Sequence, residues 1–176
     1  MAVAVEAILA AMLTLPQYHG DRHADPTVED RTRLLRPVAE AIAAVAKSRA
    51  EAAALVAVAY SESALARYVA QGYCSQGPKG ARCDAGLSRG VWQVRSWCRE
   101  LWAGPETAPG RHLAGARCAV QRLRQGQRQC SGKGYVGIMA YYGTGRCAWK
   151  PATGRAALMS TVEGQLRAPA GGSRGR

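Results

Sequence analysis

The chain is organised around one apolar run, Leu55-Val56-Ala57-Val58-Ala59-Tyr60-Ser61-Glu62. The run lies in a segment that we expect to form a helix from about Glu51 to Tyr68. Because apolar residues cover nearly all sides of this helix, it should be central and buried. The run ends in a single carboxylate, Glu62. A carboxyl group among apolar neighbours stays protonated near neutral pH and can act as a general acid.

Length and composition predict one mainly helical domain. The chain has 176 residues, of which 48% are apolar and none is Phe. Ala, Tyr and Trp must then fill the core, which favours close-packed helices. We expect an α+β, mainly α-helical fold with a small β-hairpin or turn-rich lobe. Residues 1–26 should form an N-terminal helix and linker, residues 27–167 the main domain, and residues 168–176 a disordered basic tail.

Apolar residues at helical spacing predict further helices. The segment up to Leu15 should be a helix packed on the core. Thr27 should lie at the start of another helix, which Pro37 would bend or restart. His112 heads a basic amphipathic segment and should be exposed. The remaining helices are expected at Gly90–Trp102, Arg111–Gln125, Tyr135–Tyr142 and Ala156–Leu166, and the Gly-rich segment Gln71–Ser88 should form turns or a hairpin.

The net charge restricts the kinds of molecule that the protein is expected to bind. There are 24 basic and 12 acidic residues, a net charge of +12. This excess favours anionic partners such as nucleic acid, membranes or cell-envelope polymers, or serves only solubility. The basic residues are spread along the chain, so we expect no specific nucleic-acid binding. The apolar N-terminal segment is too short to span a membrane and lacks the basic start of a signal peptide.

Six cysteines lie after Glu62, at Cys74, Cys83, Cys98, Cys118, Cys130 and Cys147. An even number in the loop-rich half favours three disulfides and an oxidising, extracytoplasmic setting. Pairing between neighbours along the chain would give Cys74–Cys83, Cys98–Cys118 and Cys130–Cys147. The alternative is buried free thiols in a reducing cytosol.

Two turns downstream of Glu62 could contribute to a binding site. In the first, Gly90 lets the backbone approach a ligand closely, Trp92 offers a flat face for a sugar ring, and Gln93 offers a donor and an acceptor. In the second, a tyrosine hydroxyl could orient a nearby carboxyl group. Each motif also has a purely structural interpretation: a core tryptophan, a helix end with packing tyrosines, and a glutamate in a salt bridge, for instance with Arg67. The two turns read Gly90-Val91-Trp92-Gln93 and Ala140-Tyr141-Tyr142-Gly143-Thr144-Gly145.

Taken in order, these motifs resemble those of the lysozyme-like family of peptidoglycan-cleaving enzymes, in particular the soluble lytic transglycosylases and goose-type lysozymes. That family has a Glu-Ser pair at the end of a buried helix, then a Gly-Leu-Met-Gln turn and an Ala-Tyr-Asn-x-Gly turn. The resemblance covers about Leu55 to Gly145. Trp92 replaces the usual Met and Tyr142 the usual Asn. The counterparts here are Glu62-Ser63, Gly90-Val91-Trp92-Gln93 and Ala140-Tyr141-Tyr142-Gly143.

The resemblance implies a glycosidase that cuts the β-1,4 bond between N-acetylmuramic acid and N-acetylglucosamine. Glu62 would be its general acid and base. Asp84 is similar to an aspartate of the goose-type lysozymes that helps to position a water; it could instead be a turn residue. Transglycosylases need one glutamate only, because the sugar's own hydroxyl attacks. The substrate-binding residues implied are Ser63, Gly90, Trp92, Gln93, Tyr141 and Tyr142.

The expected partners are peptidoglycan glycan strands, bound by a monomer without cofactor or metal. His19 and His23 have metal-like spacing, but no third distant ligand accompanies them. Two other functions remain open. A protein on the same scaffold could hold glycan strands without cutting them, or the arginine-rich segment Arg111–Arg128 could bind nucleic acid.

Overall fold

The computed structural model describes residues 3–17, 27–72, 87–103 and 110–167, and these ranges are almost entirely helical. Their only β pairing is an isolated antiparallel bridge between Arg89 and Val94. The prediction of a mainly helical fold is therefore confirmed. The expected hairpin falls largely on residues 73–86, outside the described ranges. The helices are α1 (Val5–Leu13), α2 (Val28–Val45), α3 (Arg49–Ser63), α4 (Arg67–Ala70), α5 (Arg99–Trp102), α6 (Arg111–Gln129), α7 (Gly134–Thr144) and α8 (Ala152–Arg167).

Helix α3 is the centre of the fold, as its sequence predicts. Every residue from Ala52 to Ala59 is buried. The helix packs most extensively on α8 and also contacts α1, α2 and α6. The small alanine side chains allow these neighbours to approach closely on all sides, so the carboxyl end of α3 is held firmly by the surrounding helices.

Helix α3 ends at Ser63 and not near Tyr68, which corrects the predicted boundary. The Ser63 hydroxyl donates to the Ala59 carbonyl at 2.7 Å and accepts from the Leu65 amide at 3.2 Å. Ala64 and Leu65 both have φ of 52°, in the left-handed region, where the chain cannot continue a right-handed helix. As a result Glu62 lies in the last turn of α3.

The segment Gly90–Trp102 was predicted as a helix, and this is wrong for most of its length. Gly90 and Gln93 have φ of 65° and 47°, so the four residues from Gly90 to Gln93 form a tight turn. Backbone hydrogen bonds of 2.9 and 3.0 Å between Arg89 and Val94 close the turn. Only α5 is helical. The other predicted helices are confirmed, and α6, α7 and α8 each extend beyond the predicted bounds.

Helix α1 forms in the segment where it was predicted, and α2 begins at the predicted Thr27. Helix α1 buries Ile8, Leu9 and Met12 on the core, as predicted for this segment. The Thr27 hydroxyl accepts from the Asp30 amide at 3.0 Å and starts α2, which runs through the interior Pro37. No helix in the described ranges is both long enough and apolar enough to cross a membrane.

Helix α6 is joined to the rest of the fold by covalent bonds and an ion pair. Two predicted disulfides are confirmed: Cys98–Cys118 joins α6 to the segment before α5, and Cys130–Cys147 joins its end to the segment after α7. Both fit an oxidising compartment. Cys74 and Cys83 lie outside the described residues. Arg124 of α6 pairs with Glu51 of α3 at 2.7 Å, and this hydrogen bond lowers the pKa of Glu51.

Candidate active site

A cleft of about 440 Å³ brings together the three sequence motifs. Glu62 enters it from the last turn of α3, Gln93 from the turn after Gly90, and Tyr142 from the end of α7. We call it the central cleft. These segments are distant in the sequence and meet only because α3 lies at the centre of the fold. The described residues that line it are Glu62, Ser88, Gln93, Arg95, Trp97, Arg122, Tyr142, Gly143 and Thr144.

Glu62 is ion-paired, which corrects the expectation of a purely apolar setting. Its Oε1 lies 2.5 Å from Nη1 of Arg155, which projects from the first turns of α8. The Glu62 and Arg155 side chains are 21% and 13% exposed. The Arg155 guanidinium also lies over the Trp149 ring, 4.7 Å from its centre. The salt bridge considered from the sequence therefore exists, with Arg155 as the partner in place of Arg67.

A second depression, of about 500 Å³, also reaches Glu62. Its walls are mostly apolar and include two aromatic rings, from Tyr60 and Tyr68. We call it the tyrosine depression. Ser63 borders it and not the central cleft, since the Ser63 hydroxyl is used in ending α3. The described residues that line it are Tyr60, Ser61, Glu62, Ser63, Ala64, Ala66, Tyr68, Val69, Gly154 and Leu158.

Tyr142 is the tyrosine of the pair that faces the central cleft. Its hydroxyl is buried and donates to the Trp92 carbonyl at 2.8 Å. Burial raises the pKa of Tyr142 well above its ordinary value, and the nearby Glu62 carboxylate raises it further. Tyr141 was predicted to line the cleft, but it is not among the described residues that do so, and its ring lies beneath the Arg122 guanidinium at 4.5 Å. Tyr141 therefore supports a residue of the cleft wall from behind.

The prediction that Trp92 stacks on a sugar ring is also wrong. Trp92 is 1% exposed, and its indole Nε1 donates to the Leu55 carbonyl at 3.0 Å. Its ring packs so closely on α6 that a Cβ added at Gly115 would lie 3.0 Å from it. Trp92 thus fixes the turn to α3 and α6. The exposed aromatic ring in the central cleft is Trp97, which is 49% exposed and follows the motif in the same segment.

The Gly90–Gln93 turn is held by its own hydrogen bonds. The Gln93 side-chain Nε2 and backbone N both donate to the Gly90 carbonyl, at 2.9 and 3.0 Å. Gly90 is buried and shapes the turn without lining the cleft. The described non-glycine residues with left-handed φ are Ala64, Leu65 and Gln93, and all three adjoin this region. Strained backbone of this kind tends to gather at functional sites.

The sequence motifs gave no sign of the arginines around Glu62. Arg95 and Arg122 line the central cleft, and Arg155 holds the carboxylate itself. These residues come from three different segments, so only the tertiary structure brings them together. The signal available in the sequence was the overall basic excess, which does not indicate where the charges converge.

Paired with Arg155, Glu62 is favoured in its ionised form, because an opposite charge stabilises a carboxylate. In that form it can act as a base or stabilise a developing positive charge on a sugar ring. To act as an acid it must separate from Arg155 and take up a proton. The expected second carboxylate, Asp84, lies outside the described residues.

Within the described ranges, no group of three or more His, Cys, Asp or Glu side chains could hold a metal ion. His19 and His23 fall outside these ranges. The described residues of the central cleft offer carboxylate, guanidinium, amide and hydroxyl groups. Comparisons of the chain with models of protein families, with curated proteins and with solved structures find no match.

Proposed function

We propose that the protein is a lysozyme-like glycosidase that cuts the β-1,4 bond between N-acetylmuramic acid and N-acetylglucosamine in peptidoglycan. One observation carries the proposal. The segments that resemble the family's motifs supply Glu62, Gln93 and Tyr142 to the same cleft. Motifs that matched by chance would have no reason to meet around Glu62, the carboxylate that the resemblance identifies as the general acid and base.

In the proposed reaction, Glu62 acts first as an acid and then as a base. The protonated carboxyl group donates its proton to the glycosidic oxygen as the bond to the leaving sugar breaks. The resulting carboxylate then accepts a proton from the group that attacks the sugar. That group is a water in a lysozyme and a hydroxyl of the muramic acid in a transglycosylase. Gln93 and Tyr142 lie beside the carboxylate, where they can help to shape the sugar site.

The substitution Glu62→Gln tests this proposal directly. We expect it to lower the rate at which purified cell walls lose turbidity by about 100-fold or more, since general acid–base catalysis contributes at least that much. The matched control is Glu100→Gln, which removes an exposed carboxylate paired with Arg117 and leaves the central cleft intact. Clearing by the Glu62 variant at the wild-type rate would refute the proposal.

Mass spectrometry of the soluble products separates the two reactions. A 1,6-anhydro end on the muramic acid identifies a transglycosylase, and a reducing end identifies a hydrolase. Either product would also exclude a protein that binds without cutting.

A glycan-binding protein without catalysis is the second candidate, and the Glu62–Arg155 ion pair favours it. A carboxylate held by a guanidinium at 2.5 Å is not ready to donate a proton. On this hypothesis the wild-type protein sediments with purified walls and releases no soluble sugar at any pH.

A further inference from the structure

Among the described residues around Glu62, guanidinium groups outnumber carboxylates. Arg95 and Arg122 line the central cleft, and Arg155 is paired with the carboxylate. The charges of Glu62, Arg155 and Arg122 all act on the buried Tyr142 hydroxyl, so each of them lies within electrostatic reach of it. A concave site lined by an excess of one charge concentrates ligands of the opposite charge.

Arg122 is held in place by contacts that do not neutralise it. Its guanidinium lies over the Tyr141 ring at 4.5 Å, and its Nη1 donates to the Gln125 side chain at 3.3 Å. Its Nη2 lies so close to the turn after α7 that a Cβ added at Gly145 would be 3.1 Å from it. A guanidinium fixed in this way loses little further freedom when it binds an anion.

Arg155 contacts Glu62 and Trp149, and another carboxylate can replace Glu62 as its ion-pair partner. The Glu62 carboxylate binds it from one side, and the Trp149 ring lies 4.7 Å from its guanidinium. If another carboxylate takes the place of Glu62, the hydrogen bonds between opposite charges are kept and the aromatic contact need not change. The ion pair can therefore be replaced without leaving a buried charge unpaired.

We propose that Arg122 and Arg155 bind a carboxylate of the glycan substrate, and that this carboxylate replaces Glu62 as the partner of Arg155. The choice of a glycan rests on the function proposed above. Muramic acid supplies such a group, either on its lactyl substituent in bare strands or on the attached peptide stem. Once released, Glu62 takes a proton from solvent and can donate it. Neutral N-acetylglucosamine polymers would leave Glu62 paired, which makes the cleft selective for acidic strands.

Binding can be measured with probes that lack the bond to be cut. The first is the disaccharide N-acetylglucosaminyl-N-acetylmuramic acid with a free lactyl carboxylate, and the second is the same disaccharide carrying a peptide stem. The neutral reference is N,N′-diacetylchitobiose, called chitobiose below. We expect at least one acidic probe to bind about tenfold more tightly than chitobiose, as for one hydrogen bond between charged groups. The tighter acidic probe identifies the source of the carboxylate. Equal affinity for all three probes would overturn the proposal.

A pair of arginine substitutions on α6 distinguishes a local site from overall charge. Arg122→Gln should lower the affinity for the preferred acidic probe about tenfold and leave the affinity for chitobiose unchanged. Arg117→Gln removes the same charge from the same helix, at an exposed ion pair with Glu100, and should change neither. If the two variants lose affinity equally, the attraction comes from the net charge and the proposal is wrong.

A separate binding measurement tests whether the substrate carboxylate replaces Glu62 at Arg155. Glu62→Gln removes the group that competes for Arg155, so the acidic probe should bind several-fold more tightly while chitobiose binds as before. Adding Arg155→Gln to this variant should abolish the gain. Equal affinity of the wild type and the Glu62 variant for the acidic probe would overturn the exchange.

These results also separate the two proposals. If the binding pattern holds and purified walls release no sugar, the glycosidase proposal fails while the carboxylate site stands. If walls are cut and chitobiose binds as tightly as both acidic probes, the carboxylate site fails alone.

Discussion

At the scale of single residues, the ion pair with Arg155 favours the carboxylate form of Glu62. Replacing Arg155 with glutamine removes the cation that favours the carboxylate. If Glu62 is the acid, Arg155→Gln should then retain cell-wall cleavage at higher pH than the wild type, measured as initial clearing rates at wall concentrations far below saturation, where the rate reports the ionisation of the free protein. Arg155→Lys keeps the charge and should restore the wild-type profile. Identical profiles for the glutamine variant and the wild type would show that the ion pair does not govern the acid.

Tyr142 contributes stability through a buried hydrogen bond. Its pKa is raised by burial, so the hydroxyl stays a donor to the Trp92 carbonyl well into alkaline conditions. Tyr142→Phe leaves that carbonyl without its donor and should lower the free energy of unfolding by about 1–3 kcal/mol. The control is Tyr135→Phe, whose hydroxyl donates to Glu163 at 2.9 Å in a more exposed place. Urea unfolding of both variants gives the comparison, and an equal loss in the two would contradict this account.

The residues that share the cleft were easier to predict than the directions of their side chains. Glu62 could be identified because an apolar run ends at it. Tyr141 and Tyr142, by contrast, point about 100° apart around the axis of α7, and a helix buried on several sides carries no polar face that fixes its rotation. Trp92 faces α3 and α6 for reasons of packing. Arg155 lies too far along the chain for its pairing with Glu62 to be read from spacing.

At the scale of elements, the end of α7 and the segment after it are packed too tightly to accept a side chain. A Cβ at Gly143 would lie 2.9 Å from Cζ3 of Trp149, the residue beneath Arg155. Gly143→Ala should therefore shift Trp149 and lower the free energy of unfolding by about 1–3 kcal/mol. The control is Gly154→Ala in α8, where nothing lies within 4 Å of the added Cβ, and it should raise stability by up to about 1 kcal/mol.

Thermal unfolding of the two alanine variants measures the difference. If Gly143→Ala is as stable as Gly154→Ala, the close approach of Trp149 does not constrain the cleft.

The predicted helix boundaries were wrong at the positions where the backbone is left-handed. The apolar pattern of α3 continues beyond Ser63, but Ala64 and Leu65 leave the right-handed region. The sequence offers no Gly at these two positions to signal a helix end. Gly90 is a glycine at a left-handed position and so did signal a turn. Gln93, which closes the turn, is also left-handed, but a glutamine gives no such signal. The elements whose interiors are regular, α6 and α8, were identified correctly.

At the scale of the whole molecule, the cleft depends on how α6 is held. Arg124 joins it to α3, and the two disulfides join it to the segments on either side of the cleft. Gln93 precedes Cys98, and Gly143 precedes Cys147. The walls that carry Gln93 and Gly143 are thus both tied to one helix, which is itself fixed against the helix that carries Glu62. This arrangement explains how a cleft made of distant segments can keep a defined shape.

His112, at the start of α6, makes the stability of the whole molecule depend on pH. It was expected to be exposed, but it is half-buried, and burial together with the charge of Arg111 lowers its pKa from 6.5 to about 4. The unfolded chain therefore takes up this proton near pH 6.5, whereas the folded protein takes it up only near pH 4. The contribution of neutral His112 is complete above pH 6.5 and is lost as the pH falls toward 4, by up to about 3 kcal/mol.

His112→Gln isolates this effect, because the other titrating groups are the same in both proteins. The difference in unfolding free energy between the wild type and the variant should shrink, or turn against the wild type, as the pH is lowered through this window. Urea unfolding at several pH values measures it. A difference that stays constant with pH would mean that His112 titrates alike in the folded and unfolded chains, and that the start of α6 is open to water.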